Sequence, residues 1–178
     1  MASELDDRIR SLAGVSFIGE AFRHVTLGLP PLSGEGARKV GRRWNPPDSF
    51  PTLYLALEFP TVIAEFHRLA KRERTSPERF LPRTVYRYAV ALGECLDLRR
   101  DDALAIVGLD RDIVGSANMT ACQRVGAAVH SGGYEGLLAP SATRSGTVLV
   151  IFLDQVRAHS SIQPEQISTW TTLAEVSV

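Results

Sequence analysis

Short strand-like segments follow one another along this chain, in several places with no helix between them. Val15 to Ile18 and Ala21 to Val25 are predicted to be short extended segments around Gly19. The apolar runs Gly136 to Ala139 and Thr147 to Leu153 are separated only by a polar turn, so they should pair as a hairpin or as sheet neighbours. Strands interspersed with helices in this order predict an α+β fold, a compact mixed β-sheet core flanked by helices, rather than a regular parallel α/β fold.

The remaining apolar patterns predict further strands and helices. Strands are predicted at Thr52 to Leu57 and at Val85 to Leu92, and Glu94 to Leu98 either continues or pairs with the latter. Helices are predicted from a Ser3–Asp6 capping box through Leu12, from Pro60 through Ala70, at Ala103 to Val107, at Asp110 to Val114, and from Met119 to the stop signal Gly132–Gly133. In the tail from Pro164 to Val178, apolar residues recur every third position, which predicts a C-terminal helix or turn docked on the body.

Length and composition predict one domain. A chain of 178 residues, 44% of them hydrophobic, can bury one sizeable core, so we expect a single domain over residues 1–178. Lys+Arg and Asp+Glu both number 20, so no overall charge draws the protein onto nucleic acid or an anionic membrane. The N-terminus lacks the apolar core of a signal peptide, and the longest apolar run, Val148 to Leu153, is too short to span a bilayer. We therefore expect a soluble cytoplasmic protein.

Metal and serine-nucleophile chemistry are not indicated by the spacing of the reactive residues. Cys95 and Cys122 have no metal or redox spacing, and both lie in apolar stretches that suit buried free thiols. The four histidines show no ligand spacing, and a G-x-x-x-x-G-K-[ST] phosphate loop is absent. Ser141 lies in no G-x-S-x-G elbow. We expect neither a metal site nor a resident cofactor.

A long loop, predicted from Leu29 to Phe50, carries a cluster of positive charges. Four cations fall within the six positions from Arg38 to Arg43, in a stretch that also contains prolines and glycines. Guanidinium groups bind phosphate oxygens bidentately, so the cluster suits a nucleotide diphosphate. A solvated basic loop is the alternative. Trp44, directly after the cluster, either plugs the core or supports the loop beneath a ligand.

Glu65 is the strongest single candidate for chemistry. On a helical wheel it lies at the edge of the apolar face that contains Val62 and Phe66. A partly desolvated carboxylate costs free energy unless it has a partner or a task. Alternatively, Glu65 is a boundary residue that reaches solvent or pairs with Arg68 or Arg72.

Three other residues have both a functional and a structural interpretation. Tyr54 points, by strand alternation, away from its apolar neighbours and so toward a cleft or solvent, or it is an ordinary aromatic of the core or surface. Arg23 is a charge inside an apolar segment, either an outward strand residue or a buried phosphate ligand. Ser141 ends an apolar strand, where its hydroxyl can hydrogen-bond a carboxylate or a ligand.

Taken together, these residues resemble the RES domain, a family named for its Arg, Glu and Ser and found as toxins paired with Xre-type antitoxins in bacteria. The resemblance extends from about Phe22 to Phe152. It is carried by Arg23 in Phe-Arg-His-Val, Gly41-Arg-Arg-Trp-Asn45, Leu53-Tyr-Leu-Ala56, Glu65, and Gly136-Leu-Leu-Ala-Pro-Ser141. Two positions depart from the pattern: His24 stands where some members have Tyr, and Pro47-Asp48 replaces a common glycine.

The resemblance implies an ADP-ribosyltransferase-like fold and cleavage of NAD at the nicotinamide glycosidic bond. By position, Glu65 would be the catalytic carboxylate, Arg43 and Arg23 would hold the diphosphate and neighbouring ribose, Tyr54 would stack near the nicotinamide, and Ser141 would orient the ligand or Glu65. His24, Trp44 and Asn45 are further substrate-binding candidates. NAD would be a substrate and not a cofactor, with inorganic phosphate as a possible co-substrate.

Three functions compete at this point. The first is a toxin that degrades NAD as a phosphorylase or glycohydrolase, and the second is transfer of ADP-ribose to a protein target. The third is a non-catalytic nucleotide- or nucleic-acid-binding module that uses the Arg38 to Arg43 cluster, which the neutral net charge disfavours. The resemblance also implies a cognate Xre-type antitoxin that covers the pocket, with a homodimer or a hetero-oligomer as the assembly.

Overall fold

A computed structural model describes residues 4–177. Within this range the helices are α1 (Glu4–Ser11), α2 (Glu35–Val40), α3 (Phe59–Arg72), α4 (Asp101–Ile106), α5 (Arg111–Gly115) and α6 (Thr120–Ser131). The strands are β1 (Gly14–Thr26), β2 (Thr52–Ala56), β3 (Arg83–Asp97), β4 (Gly136–Pro140), β5 (Thr147–Phe152) and β6 (Ser161–Trp170). Short 3-10 turns occupy Pro77–Phe80 and Leu173–Glu175.

The strands form one mixed sheet whose pairing closes into a ring. The order is β1-β2-β5-β4-β3-β6, and β1 also pairs with β3. Strand β3 pairs along one edge with β1, while β6 and then β4 share its other edge. The β3–β4 pair is parallel, and the other pairs are antiparallel. This architecture confirms the predicted α+β class and the mixed sheet flanked by helices.

Three buried apolar clusters hold the elements together. The first joins helices α1, α4, α5 and α6 to one side of the sheet and includes Trp44. The second is formed by the strands and includes Leu53 and Leu55 of β2. The third joins α3 to the C-terminal segment through Phe66 and Trp170. Full burial of a Leu or Phe side chain in these clusters stabilises the fold by about 1.5–3 kcal/mol.

Several local predictions are confirmed. The predicted helix at Pro60 is α3, which begins one residue earlier, at Phe59, and carries the proline in its first turn. The two C-terminal apolar runs form β4 and β5 as antiparallel neighbours. Glu94 to Leu98 continues the preceding strand, since β3 runs unbroken to Asp97. Both cysteines are buried free thiols.

Two predictions near the N-terminus need correction. The two extended segments around Gly19 are one continuous strand, β1, because its long pairing with β3 supports the backbone through the glycine. The predicted loop from Leu29 to Phe50 contains the short helix α2. An ion pair of 2.9 Å between Arg38 Nε and Glu35 Oε2 joins residues three apart on this helix.

The tail is mostly a strand, so the prediction of a helix there is wrong. Residues Ser161–Trp170 form β6 along β3, with a register shift opposite Val85 and Tyr86. The apolar period of three did not distinguish a bulged strand from a helix. The predicted turn is present as the 3-10 turn Leu173–Glu175, after which Val176 is buried in the third cluster.

Two predicted features at the chain ends cannot be compared with the structure. Ser3 of the predicted capping box and Val178 of the tail lie outside residues 4–177. Within that range no helix is long and apolar enough to cross a membrane. In the same part of the chain, no group of three or more His, Cys, Asp and Glu side chains is placed to hold a metal ion. The single domain over residues 1–178 stays a prediction.

Candidate active site

A direct contact joins two candidates that lie 76 positions apart in sequence, Glu65 and Ser141. Glu65 lies at the edge of the buried face of α3, and Ser141 directly follows β4. The Ser141 hydroxyl donates a hydrogen bond of 2.7 Å to Glu65 Oε1. The antiparallel β4–β5 pair fixes Ser141, while packing of Val62 and Phe66 fixes the rotation of α3. The fold thus presents a carboxylate in one defined orientation.

The turn after β4 holds the serine hydroxyl in place. Ser141 is 3% exposed, and its backbone N–H donates to the carbonyl of Gly146. The backbone N–H of Thr143 donates to Ser141 Oγ at 3.1 Å, and the Thr143 hydroxyl lies 2.8 Å from the same atom. Since Ser141 Oγ accepts from Thr143, its own proton is directed to Glu65. Thr143 was not singled out in the sequence, because its role depends on the closing of this turn.

Tyr54 anchors the loop that carries the arginine cluster. As predicted by alternation, its side chain lies on the face of β2 opposite Leu53 and Leu55. Its hydroxyl accepts from the backbone N–H of Trp44 at 2.8 Å and donates to Asn45 Oδ1 at 2.8 Å. Burial raises the pKa of Tyr54 well above its usual range, so the phenol stays a neutral donor. The predicted stacking of Tyr54 near nicotinamide stays a prediction.

Trp44 and Asn45 are buried, at 1% and 0% exposure. Trp44 joins the first apolar cluster, and Asn45 Nδ2 donates to the carbonyl of Ala37 at 2.7 Å. Both residues support the loop from within, and Trp44 fills the core, one of the two interpretations that the sequence left open. Support of the loop beneath a ligand stays a prediction. Direct contact of either residue with a substrate stays a prediction.

The path of this loop depends on two positive-φ residues and one close helix contact. Gly41 has φ 70°, and a Cβ there would lie 2.7 Å from the backbone N of Pro47. Asp48, at the position that departs from the family pattern, adopts φ 52°, a conformation that Asp tolerates better than most residues. Gly126 of α6 lets the helix approach the carbonyl of Trp44, since a Cβ would lie 1.9 Å from that oxygen.

Arg43 is held on one side and free on the other. Its Nη2 donates to the carbonyl of Ser116 at 2.8 Å. Its Nη1 is buried and has no hydrogen-bond partner among residues 4–177. A buried unpaired donor is costly in free energy, so this nitrogen is suited to an anionic ligand. Burial raises the pKa of the neighbouring Cys122 thiol, and the charge of Arg43 opposes that rise.

Arg23 and His24 are adjacent in β1 and point to opposite faces, as strand alternation requires. Arg23 Nη1 lies 3.4 Å and 3.3 Å from the carbonyls of Pro31 and Ser33, in a contact that fixes the start of the loop. Burial lowers the pKa of Arg23, an effect that the neighbouring Tyr88 partly offsets.

His24 packs in the third apolar cluster, against Phe66 and Trp170. Burial lowers its pKa to about 3, and the charges of Arg83 and Arg23 act in the same direction. His24 is therefore neutral at physiological pH. Its predicted contact with the substrate stays a prediction.

Three further arginines, Arg42, Arg68 and Arg72, extend the positive surroundings of the site. Burial and the neighbouring charge of Arg43 lower the pKa of Arg68, while Glu65 raises it. Burial and the charge of Arg72 likewise lower the pKa of Arg42. No ion pair of Glu65 with Arg68 or Arg72 occurs in the described part of the chain, and Arg72 pairs instead with Glu73 at 3.1 Å. The sequence signal for Arg68 was its spacing of three residues from Glu65 on one helix.

Comparison with known protein families shows to which family the chain belongs. The family model described as the RES domain matches residues 20–172 of this sequence. The chain belongs to the RES domain family. It is 31% identical to the NAD(+) phosphorylase MbcT of Mycobacterium tuberculosis and to that of Mycobacterium bovis, over 88% of this chain and 88% of each relative.

A solved structure supports the same relationship. The fold matches a chain in the crystal structure of the M. tuberculosis MbcT-MbcA toxin-antitoxin complex with a TM-score of 0.85 at 30% identity. The match covers 96% of this chain and 93% of the other. The predicted family is thereby confirmed.

Proposed function

We propose that the chain is the toxin of a type II toxin-antitoxin system and degrades NAD by cleaving the nicotinamide–ribose glycosidic bond. One observation carries the proposal: the Glu65 carboxylate, oriented by the Ser141 hydroxyl at 2.7 Å, in surroundings rich in arginine. The relationship to proteins named NAD(+) phosphorylase supports it.

In this proposal the arginines bind the diphosphate. Arg43 offers its unpaired Nη1, and Arg23 contributes positive charge from the start of the loop. Guanidinium groups bind phosphate oxygens through short, charge-assisted hydrogen bonds. The diphosphate would then be fixed relative to Glu65, because the loop itself is anchored by Tyr54.

Glu65 acts on the positive charge that develops at the ribose. As nicotinamide leaves as a neutral ring, the ribose becomes oxocarbenium-like, as in glycoside hydrolysis. A carboxylate held in place by Ser141 favours this charge more in the transition state than in the ground state. Tyr54 would stack near the departing nicotinamide, as the family resemblance implies.

The acceptor in this proposal is inorganic phosphate, as in the relatives named NAD(+) phosphorylase. The products would be nicotinamide and the 1-phosphate of ADP-ribose. Water as the acceptor would give free ADP-ribose, and a protein acceptor would give a modified protein. Purified protein mixed with NAD, with and without phosphate, distinguishes the first two outcomes, and labelled NAD with a cell lysate reveals the third.

Glu65→Gln tests the catalytic assignment. Glutamine still accepts the hydrogen bond from Ser141 but carries no charge, so we expect nicotinamide release to fall about 100- to 1,000-fold with little change in the unfolding midpoint. Chromatographic assay of nicotinamide and thermal unfolding measure the two effects. Glu165→Gln, which removes an exposed carboxylate of β6, is the matched control. A Glu65→Gln enzyme as active as the parent contradicts the assignment.

The proposed partner is an Xre-type antitoxin that covers the site. Four apolar side chains are exposed within residues 27–40, the stretch that Arg23 contacts at Pro31: Leu27, Leu29, Leu32 and Val40. They provide an apolar surface for the antitoxin. The solved relative is a toxin in complex with its antitoxin MbcA, which supports this assembly. Because the substrate NAD and such a partner are cytoplasmic, we propose that the protein acts in the cytoplasm.

A further inference from the structure

The candidate site holds more positive charge than one NAD molecule balances. Four arginines make no ion pair within residues 4–177 and interact electrostatically around the site: Arg23, Arg42, Arg43 and Arg68. Two carboxylates act on this group, Glu65 on Arg68 and Glu73 on Arg42. Glu73 pairs with Arg72, so these two charges cancel, and four arginines against Glu65 leave a local charge of four minus one, or +3. The diphosphate of NAD carries about two negative charges, partly offset by its nicotinamide cation. Positive charge therefore remains for a second anion.

Arg68 is the arginine of this group without a structural role. Arg43 donates to Ser116, Arg23 lies against the carbonyls of Pro31 and Ser33, and Arg42 Nη1 donates to the carbonyl of Gly41. The guanidinium of Arg68, by contrast, donates no hydrogen bond to the described residues, although the residue is partly buried. Its five N–H donors are thus available to a ligand.

The position of Arg68 favours the reacting end of the substrate over the diphosphate. It follows Glu65 by three residues on α3, so the two side chains lie on the same side of the helix, one turn apart. Glu65 is fixed on its other side by Ser141. Arg68 also lies near Arg43, and the two positive charges repel each other. An anion bound between the two guanidinium groups would offset this repulsion.

We propose that Arg68 forms the binding subsite for the acceptor, inorganic phosphate, beside Glu65. This inference rests on the proposed function and assigns the part of the site that its reaction requires. A doubly charged phosphate next to the Glu65 carboxylate would otherwise be repelled. Arg68 offsets this repulsion and directs a phosphate oxygen toward the ribose carbon.

The proposed step is balanced without a further reactant. The bond between the ribose carbon and the nicotinamide nitrogen breaks, and its electron pair goes to the ring nitrogen, which leaves as neutral nicotinamide. A lone pair of an unprotonated oxygen of hydrogen phosphate forms the new carbon–oxygen bond. Nothing is oxidised or reduced. Because that oxygen carries no proton, no base is needed at this step.

Arg68→Gln tests the subsite through steady-state kinetics with phosphate and NAD varied separately. Loss of a charge-assisted contact should raise the KM for phosphate about ten- to a hundredfold, while the KM for NAD changes less than about threefold. At a fixed phosphate concentration, the product should shift from the 1-phosphate of ADP-ribose toward free ADP-ribose. Arg68→Lys, which keeps the charge without the planar fork, should recover part of the phosphate affinity.

Lys71→Gln is the matched control, since it removes a positive charge from an exposed position of the same helix. It should leave both KM values at the parent level. Thermal unfolding of all variants verifies that they are folded.

The outcomes separate the subsite from the function on which it rests. A parent enzyme that releases no nicotinamide overturns the proposed function. A parent enzyme that cleaves NAD equally well without phosphate overturns the subsite alone. So does an Arg68→Gln enzyme whose defect lies in the KM for NAD, or one that behaves as Lys71→Gln does.

Discussion

At the residue scale, the site depends on a few hydroxyl groups that hold charged or loop residues in place. The Ser141 hydroxyl orients Glu65, and the backbone N–H of Thr143 orients Ser141. The Tyr54 hydroxyl joins the backbone N–H of Trp44 to the side chain of Asn45, in the loop that carries the arginine cluster. The hydroxyls of Ser141 and Tyr54 each act as both donor and acceptor, so each fixes two partners at once. The charged residues themselves contribute few of the bonds that hold the site together.

Tyr54→Phe separates anchoring from ring stacking. The substitution keeps the ring but leaves the N–H of Trp44 and the Oδ1 of Asn45 without their partner. We expect the free energy of unfolding to fall by about 1–3 kcal/mol and the KM for NAD to rise, because the loop loses its anchor. Urea denaturation and steady-state kinetics measure both effects.

Tyr86→Phe, which alters another partly buried tyrosine, serves as the control for this change. Parent-like stability and KM in the Tyr54→Phe enzyme would mean that the hydroxyl does not anchor the loop.

At the element scale, helix α6 is the support for the arginine loop. Gly126 admits the Trp44 backbone, and Gln123 Nε2 donates to the carbonyl of Arg42 at 3.0 Å. Cys122 of the same helix lies beside Arg43. One face of α6 thus positions three consecutive loop residues, although none of its side chains is among the predicted site residues.

Gly126→Ala should displace this loop. The new methyl group would lie 1.9 Å from the carbonyl oxygen of Trp44. This oxygen belongs to the backbone, so it cannot move aside without shifting the loop. We expect a loss of stability of about 1–3 kcal/mol together with a higher KM for NAD.

Gly36→Ala in α2 is the matched control, since a Cβ there meets nothing within 4 Å. In the first turn of α2 it should be neutral or stabilise by up to about 1 kcal/mol. Equal effects of the two substitutions, measured by urea denaturation, would contradict a specific contact of α6 with the loop.

The sequence predicted elements and motif residues better than it predicted their contacts. Alternation placed Tyr54 opposite Leu53 and Leu55 because a strand has a strict period of two. Its bonds to Trp44 and Asn45 could not be predicted, since they depend on how the loop folds back over β2. Arg68 was considered only as a surface partner of Glu65, because periodicity on a helix does not reveal what lies opposite. The sequence thus predicted which charged residues matter, but it did not predict the residues that surround and contact them.

At the scale of the whole molecule, the third apolar cluster joins α3, β1 and the C-terminal segment around a neutral histidine. His24 packs edge-to-face against Phe66 with ring centroids 5.5 Å apart, and its Nδ1 is buried without a partner in the described structure. The charges of Arg83 and Arg23 disfavour its protonation further. Global stability therefore depends on keeping this ring uncharged.

His24 should make the protein sensitive to mild acid. Its pKa is about 3 in the folded state, against about 6.5 in an unfolded chain, so the unfolded state binds the proton more readily. Stability then falls as the pH drops below about 6.5, by up to roughly 2 kcal/mol between pH 7 and pH 5. In His24→Phe, which keeps an aromatic ring, this loss should be absent. Urea denaturation at the two pH values provides the test.

His67→Asn, which removes an exposed histidine of α3, should retain the full dependence on pH. If the parent and His24→Phe lose stability in parallel between pH 7 and pH 5, His24 is not the group responsible.

The separation of Glu65 and Ser141 along the chain has a consequence for synthesis. The two residues are 76 positions apart, and Ser141 is positioned by the pairing of β4 with β5. A growing chain that has not yet emerged beyond β5 cannot form this contact. On the proposed role of Glu65, we expect enzymatic activity to arise only when most of the polypeptide has left the ribosome, so that prematurely terminated products are harmless to the cell that makes them.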